Sequence, residues 1–575
     1  MNRPTPAIVA QDAVRRLPRV ALWLLMLAYV LPGFVGRDPW KSADLASWGY
    51  MMEWATHGAG WYQPRLMGLG PDIDAPLPYW LGALSIQAFG GWLGPEYAAR
   101  LPFIALLALA LAATWYAIYE LARQPQAQPV AFAFGGEAHP VDYARALADA
   151  GLLALLACLG LAQLAHETTP ALAQLGFLAL MMFGLAALPA RGHRAGLALL
   201  AGALGLALSG APSIAIASTA AALWLAWQTR GAGSPDSSLG DGVASSSAKR
   251  GAQHTTAIAW PALSLVLVTA TALALDLATW QIAWPGDSRG WDSVLQALVW
   301  FTWPAWPLVL WGLWRWHRHW RSPHLAVPVA LTAITLFSAV FTPAIDRALL
   351  ISLPALAALV AFALPTLNRS LSALIDWFTL LFFSACALTI WVVWAATMTG
   401  VPAKPAANVA KLAPLFEPQF SWLAFVPALL ATAAWLWLVA WRTGRHRSAL
   451  WKSLALPAGG TTMCWVLLMT LWLPMLDHAR SFGVVISQVR EATQSTPCLQ
   501  AHALTRAEIA ALVHQGGFAL QPAANDNRCP WLLLDIDTQA TLATQVDASQ
   551  WTVNRRIGWR ANRGEDLLLM QRTTP

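Results

Sequence analysis

The chain has 575 residues, of which 57% are hydrophobic and 11% charged, and its net charge is +7. Soluble domains carry about 25% charged residues. This composition therefore excludes an ordinary soluble domain and implies a polytopic membrane protein with lipid as solvent for most of its surface. The 34 Trp fit membrane–water interfaces. The positive charge sits in short connectors between apolar segments, where it sets topology, and it does not read as a nucleic-acid footprint.

Residues 1–19 carry Arg3, Arg15, Arg16 and Arg19 and read as a cytoplasmic start. The first apolar segment, 20–36, lacks a small-residue cleavage site after it and reads as a span. Further apolar segments lie at 100–122, 148–165, 170–189, 195–209, 212–228, 258–282, 295–315, 325–342, 348–365, 373–398, 420–442 and 453–475. With the first they predict about 13 transmembrane helices, each at or near the roughly 20 residues that a span needs. The strongest basic connectors begin at Arg191, Arg315 and Arg442. The positive-inside rule puts all three in the cytoplasm, which works if the segment 77–92 lies along the outer surface and does not cross. The loop 37–99, His166-Glu167, the turn 343–347 and the C-terminus then share the outer face. The Gly/Ser-rich stretch 230–256 reads as a disordered cytoplasmic linker.

Past residue 475 the character changes. Thr505-Arg506-Ala507-Glu508 has the form of a capping box before an apolar run. Trp531-Leu532-Leu533-Leu534-Asp535-Ile536-Asp537 and Asp566-Leu567-Leu568-Leu569-Met570 read as short strands. The predicted organisation is a transmembrane domain over 1–475 and a small α/β domain over 476–575. Cys498 and Cys529 are disulfide candidates if that domain faces an oxidising compartment, and two free thiols otherwise.

The loop 37–99 holds more chemistry than a connector needs. Asp38, Asp44, Asp72 and Asp74 lie in it beside Arg37, Lys41 and Arg65. A carboxylate here suits a general base for an acceptor hydroxyl, and the cations suit a phosphate. Taken alone, Asp38 is equally a membrane-interface charge, His166-Glu167 a snorkelled helix end and Asp346-Arg347 a local ion pair. Ionisable residues at the edge of the bilayer are costly, and those that persist are functional candidates. No P-loop, Gly-rich dinucleotide loop or zinc-spaced His/Cys set is present, which argues against an ATP-driven transporter.

Four ordered motifs carry a resemblance. They are Gly36-Arg37-Asp38, Trp61-Tyr62-Gln63-Pro64-Arg65-Leu66-Met67-Gly68, Pro76-Leu77-Pro78-Tyr79-Trp80, and Glu96-Tyr97-Ala98-Ala99-Arg100-Leu101-Pro102. The first two resemble the Gly-Arg-Asp-Glu and Trp-x-x-Pro-x-Leu-x-Gly elements of the GT-C class glycosyltransferases, in the superfamily of protein mannosyltransferases and aminoarabinose (ArnT-like) transferases. The other two resemble the elements that follow, and Leu349 to Leu356 resembles the family's later Leu-Pro element. The resemblance implies juxtamembrane helices in a periplasmic first loop and residence in a bacterial inner membrane. It also implies transfer of a sugar from a polyprenyl-phosphate donor to a lipid or glycan acceptor, as in lipid A modification. Asp38 maps onto the family's first-loop acid and is the expected catalytic base, with Asp44 supporting it and Glu167 in place of a second-loop Asp. Arg37, Lys41, Arg65, Tyr79, Arg100, His166 and Arg347 are the expected substrate and phosphate contacts. The chain departs from the family at Ile73-Asp74-Ala75, where a Glu-Lys-Pro element is usual, and at Ser209-Gly210 and Ala348. No metal ligand is assigned, and a divalent metal stays open as a cofactor. A non-catalytic lipid-binding or assembly protein on the same scaffold is the alternative, and a transporter is a third reading.

Overall fold

The structure, a computed structural model, describes residues 5–40, 42–57, 63–231, 243–277, 284, 288–444, 449–494, 496, 498–527, 529–558 and 566–573. Proline at the first or second position opens the helices Pro76–Leu93, Pro95–Ala122, Pro140–Ala157, Pro170–Arg191 and Pro323–Val340. Its missing N–H falls where a helix has no internal acceptor to lose. Among the described residues, seven helices are long and apolar enough to cross a membrane: Pro95–Ala122, Pro170–Arg191, Thr255–Ala274, Pro323–Val340, Arg369–Thr399, Trp422–Thr443 and Lys452–Ala492. Shorter apolar helices span Arg19–Val30, His193–Leu208 and Leu353–Thr366. Trp422–Thr443 leaves Trp422, Leu423, Leu430 and Trp437 open to the surroundings, the pattern of a helix solvated by lipid on most sides.

Three expected segments differ from single uninterrupted spans. The segment 295–315 is two helices, Gly290–Phe301 and Ala305–Arg315, bent by 85°. The break, Thr302-Trp303-Pro304, ends in a proline, which disfavours helix in the residue before it. The segment 148–165 stops as a helix at Ala157 and resumes only as the short Leu161–Leu164. The two breaks meet. The N–H groups of Leu159 and Gly160 donate to the carbonyls of Trp303 and Phe301, both at 3.0 Å, so the helix-end groups left over at one break satisfy those at the other. The segment 348–365 divides into Ile345–Leu350 and Leu353–Ala363. The expected linker also needs correction. The helix Val243–Ala274 begins inside it, because Ala, Lys, Arg and Gln there are good helix formers that extend the apolar helix backward. Residues 232–242 of that linker lie outside the described residues.

Helix direction decides which loops share an end. Arg19–Val30, Pro95–Ala122, Pro140–Ala157 and Lys452–Leu467 pack together. One end gathers the N-terminal segment against residues 124–139 and 449–451: Val130 N–H donates to Ala7, Ala138 N–H to Val9 and Leu450 N–H to Ala13. The other end gathers residues 33–40, 95–100, 166–169, 345–350 and 473–480. Gly36 turns the chain out of the first helix at φ 79°, a conformation in which a Cβ is strained.

Five strands form one mixed sheet in the order β2-β1-β3-β5-β4: β1 Cys498–His502, β2 Ala519–Pro522, β3 Trp531–Asp535, β4 Trp551–Ile557 and β5 Leu567–Arg572. β1 runs parallel to β2 and β3, while β5 is antiparallel to β3 and β4. The central position of β3 explains its unbroken apolar run, since both faces are covered. The capping box forms as the sequence predicts, with Thr505 and Glu508 each bonded to the other's backbone N–H. The helix that it caps rests on the first loop. Ala510 lies against Gly49, and Arg506 donates to the Gly70 carbonyl at 2.7 Å and pairs with Asp72 at 2.6 Å. Cys498 and Cys529 are joined as a disulfide.

Candidate active site at the loop end of the bundle

Asp44 anchors the site. It lies in the first turn of the helix Ala43–His57, where the helix dipole favours a carboxylate, and it is 2% exposed. One oxygen accepts from Arg37 Nη1 at 2.7 Å and from the Trp40 N–H at 3.2 Å. The other accepts from both the N–H and the hydroxyl of Thr168, each at 2.7 Å. Burial alone would raise its pKa. The charges of Arg37 and Arg100 and the hydrogen bonds from Arg37 and Thr168 outweigh that and hold the carboxyl below the ordinary Asp range. Arg37 is equally engaged. Its Nε donates to Gly33 O, its Nη1 also reaches Asp38 O, and its Nη2 donates to His166 O at 2.7 Å. One buried ion pair thus ties the end of the first helix, the first loop and the break at 166–169 into one unit.

Asp38 stands at the open edge of this unit. No hydrogen bond to its carboxylate is formed among the described residues, and its position is fixed through the backbone. Its N–H donates to Asp477 Oδ1 at 2.9 Å, and the same oxygen accepts from Trp40 Nε1 at 2.9 Å. Partial burial, followed by the charges of Asp477 and Glu96, raises the Asp38 pKa against the opposing pull of Arg100 and Arg37. A carboxylate with a raised pKa and a free oxygen is a better proton acceptor than an ordinary surface Asp. Asp477 also lines an open groove of about 450 Å³ with Phe416, Glu417, His478 and Ser481.

Glu167 is 4% exposed and pairs with Arg347 at 3.0 Å, with Gln163 also donating to it at 3.3 Å. Arg347, expected as a phosphate contact or else as one half of an intramolecular ion pair, forms such a pair here and bridges to the 166–169 break. Burial first, then the charge of Asp44, raises the Glu167 pKa; Arg347 and Gln163 oppose this. His166 packs among Tyr29, Phe34 and Trp465, in a space that exists because residue 33 has no side chain. Both ring nitrogens face carbonyls, of Ala162 and Tyr29. Burial nevertheless pushes its pKa down to about 4, so the ring is neutral at pH 7. Arg100 is 2% exposed; it donates to Phe34 O at 3.1 Å and leaves Nη2 without a partner.

Of the residues predicted from sequence, the structure brings together Arg37, Asp38, Asp44, Arg100, His166, Glu167 and Arg347. Tyr79 lies on the next helix, Pro76–Leu93, and faces the helix that carries Asp44 one turn beyond that residue, at Ser47. Its hydroxyl donates to Ile73 O at 3.3 Å and meets Ser47. Arg65 does not join this cluster; it reaches Gly68 O within its own turn, at 3.4 Å. Lys41 lies outside the described residues. Among the described residues, no group of three or more His, Cys, Asp and Glu side chains is arranged to hold a metal ion.

Sequence reasoning missed Trp40, Thr168, Asp477 and Arg480. Arg480 lies over the Trp40 ring at 4.9 Å, and Arg37 lies over the same ring at 4.7 Å. The signal was there, since Asp477-His478-Ala479-Arg480 is a charged run at the C-terminal boundary of the last apolar segment. The boundary criterion that selected His166 and Asp346 selects it too.

No family model and no curated protein matches the sequence. Solved structures do match. A crystal structure of ArnT from Cupriavidus metallidurans bound to undecaprenyl phosphate aligns with a TM-score of 0.58 at 15% identity, over 96% of each chain. The apo state of the same protein aligns with a TM-score of 0.55 at 14% identity, also over 96% of each chain. Identity this low carries the architecture and not the residues' roles, and the fold of this chain is similar to that of ArnT over nearly its whole length.

Proposed function

We propose that the protein is a glycosyltransferase of the bacterial inner membrane that moves a sugar from a polyprenyl-phosphate-linked donor to a lipid or glycan acceptor at the periplasmic face. The observation that carries this reading is the Asp38 carboxylate, held through its backbone beside a cluster of guanidinium groups and a groove. Asp38 takes the proton of an acceptor hydroxyl. The oxygen freed by this attacks the anomeric carbon of the donor. The bond from that carbon to the phosphate oxygen breaks, and the phosphate leaves with the electron pair, stabilised by the cations. Asp44 and Glu167 orient the site. The transmembrane domain, together with the helix Leu473–Arg480 that follows it, holds the reaction centre, and the sheet domain beyond covers the first loop from the periplasmic side, where an oxidising compartment suits its disulfide.

The likeness to an ArnT bound to undecaprenyl phosphate supports a lipid-linked donor. A second reading, a lipid-binding or assembly protein without catalysis, draws on the internal pairing of Asp44 and Glu167. Native mass spectrometry of the protein in mild detergent tests both. A co-purified polyprenyl phosphate carrying a sugar supports the transferase and identifies its donor. Asp38→Asn is then expected to lower turnover by about 10²- to 10⁴-fold with expression and melting unchanged. Undiminished turnover would remove Asp38 from the mechanism, whereas a bare carrier bound to a wild type without turnover would shift the weight to the second reading.

A further inference from the structure

The site holds four guanidinium groups, and they are not equally available. Arg37 is 5% exposed, and its donors go to Gly33 O, Asp38 O, Asp44 and His166 O. Arg100 is 2% exposed. Arg347 is committed to Glu167. Arg480 differs. It is half-buried, it is held by its stack on Trp40, and among the described residues no hydrogen bond or ion pair engages it. The carboxylate whose charge it feels, Glu167, already has Arg347. Arg480 is on the same short helix as Asp477, Leu473–Arg480, which follows a π-helical stretch at Leu468–Trp472. Such stretches are frequent at functional sites. Trp40 links the two free groups: its face carries Arg480, and its N–H shares Asp477 Oδ1 with the Asp38 backbone.

We infer that Arg480, presented on the face of Trp40, is the residue that binds the phosphate of the lipid-linked donor, and that Arg37 is a structural tie. This rests on the proposed transferase reading. A fork of five N–H donors with no anion suits a phosphate monoester or diester. The buried, unpartnered Nη2 of Arg100 marks a second unmet donor in the same cluster.

The test uses the full chain in nanodiscs, with undecaprenyl phosphate and undecaprenol as probes and binding read by native mass spectrometry. The wild type is expected to hold the phosphate at least about tenfold more tightly than the alcohol. Arg480→Gln is expected to abolish that preference while leaving undecaprenol binding unchanged, and Arg480→Lys to retain part of it. A wild type that prefers the phosphate, with an Arg480→Gln variant that prefers it equally, overturns the assignment and leaves the transferase reading standing. A wild type without the preference overturns both. A second measurement needs no variant. Undecaprenyl phosphate is expected to protect Arg480, but not Arg65, from phenylglyoxal, read by peptide mass spectrometry. Equal protection of Arg480 by inorganic phosphate or phosphatidylglycerol would overturn the claim that the ligand is the polyprenyl phosphate.

Discussion

Asp44 and His166 show what a single buried polar residue does here. Four donors converge on the two oxygens of Asp44, and removing that carboxylate leaves Arg37 charged and dry. Asp44→Ala is expected to cost about 3–5 kcal/mol, read as a lowered melting temperature in detergent; an unchanged value would show that the pair is not holding the loop. His166 sets a pH dependence. Its folded pKa of about 4 lies below the ordinary 6.5, so the unfolded chain protonates first as pH falls. The stabilisation is complete above about pH 6.5 and is lost between there and about pH 4, amounting to about 3 kcal/mol at most. Melting curves from pH 7.5 to 4.5 test it, since His166→Gln is expected to flatten part of the slope. An identical slope in the variant would assign the effect elsewhere, with His514, also pushed down to about 4 by burial, next to examine.

At the scale of elements, close packing between helices depends on residues without side chains. An added Cβ at Gly202 would come 2.5 Å from Met181 N and 2.8 Å from Phe177 O. Those are backbone atoms and have no rotamer by which to move. Small residues at such crossings let helix backbones approach in the absence of a hydrophobic drive between them. Gly202→Ala is expected to destabilise the protein by about 1–3 kcal/mol. Gly91→Ala, with nothing within 4 Å, is expected to be neutral or slightly stabilising. Equal melting temperatures for the two variants would show that the bundle relaxes around the added methyl. The apolar helices were legible as runs of hydrophobic sequence. The 85° break after Phe301 was not, because the run continues through it and only the bonds to Leu159 and Gly160 show what stabilises the interruption.

At the scale of the molecule, the sheet and the bundle meet over the first loop, through Ala510 on Gly49, Arg506 on Asp72 and the edge of Trp48 on His514. The sheet's own stability leans on the bond between Cys498 and Cys529, separated by 31 residues. Closing a loop of that size contributes about 3–4 kcal/mol. Cys498→Ser with Cys529→Ser is expected to loosen β1 and to make residues 498–573 sensitive to proteases before the bundle melts. Full resistance in the double variant would mean that docking on the first loop alone suffices.

Composition alone determined that the chain belongs in a membrane, since a charge content this low cannot solvate a protein of this size in water. The charged boundary residues and their order determined which loops to watch, because an ionised group beside lipid is costly and persists only where something uses it. What only the tertiary structure decided is which of those charges satisfy each other. Asp44, Arg37, Glu167 and Arg347 look alike in sequence to Asp38 and Arg480, and all six sit at membrane boundaries. Partners as distant in the chain as Asp44 and Thr168, or Asp38 and Asp477, leave no local pattern, because hydrogen bonds between different helices depend on where the helices end in space. Those pairings convert a row of similar charges into a buried frame and two groups without a partner among the described residues.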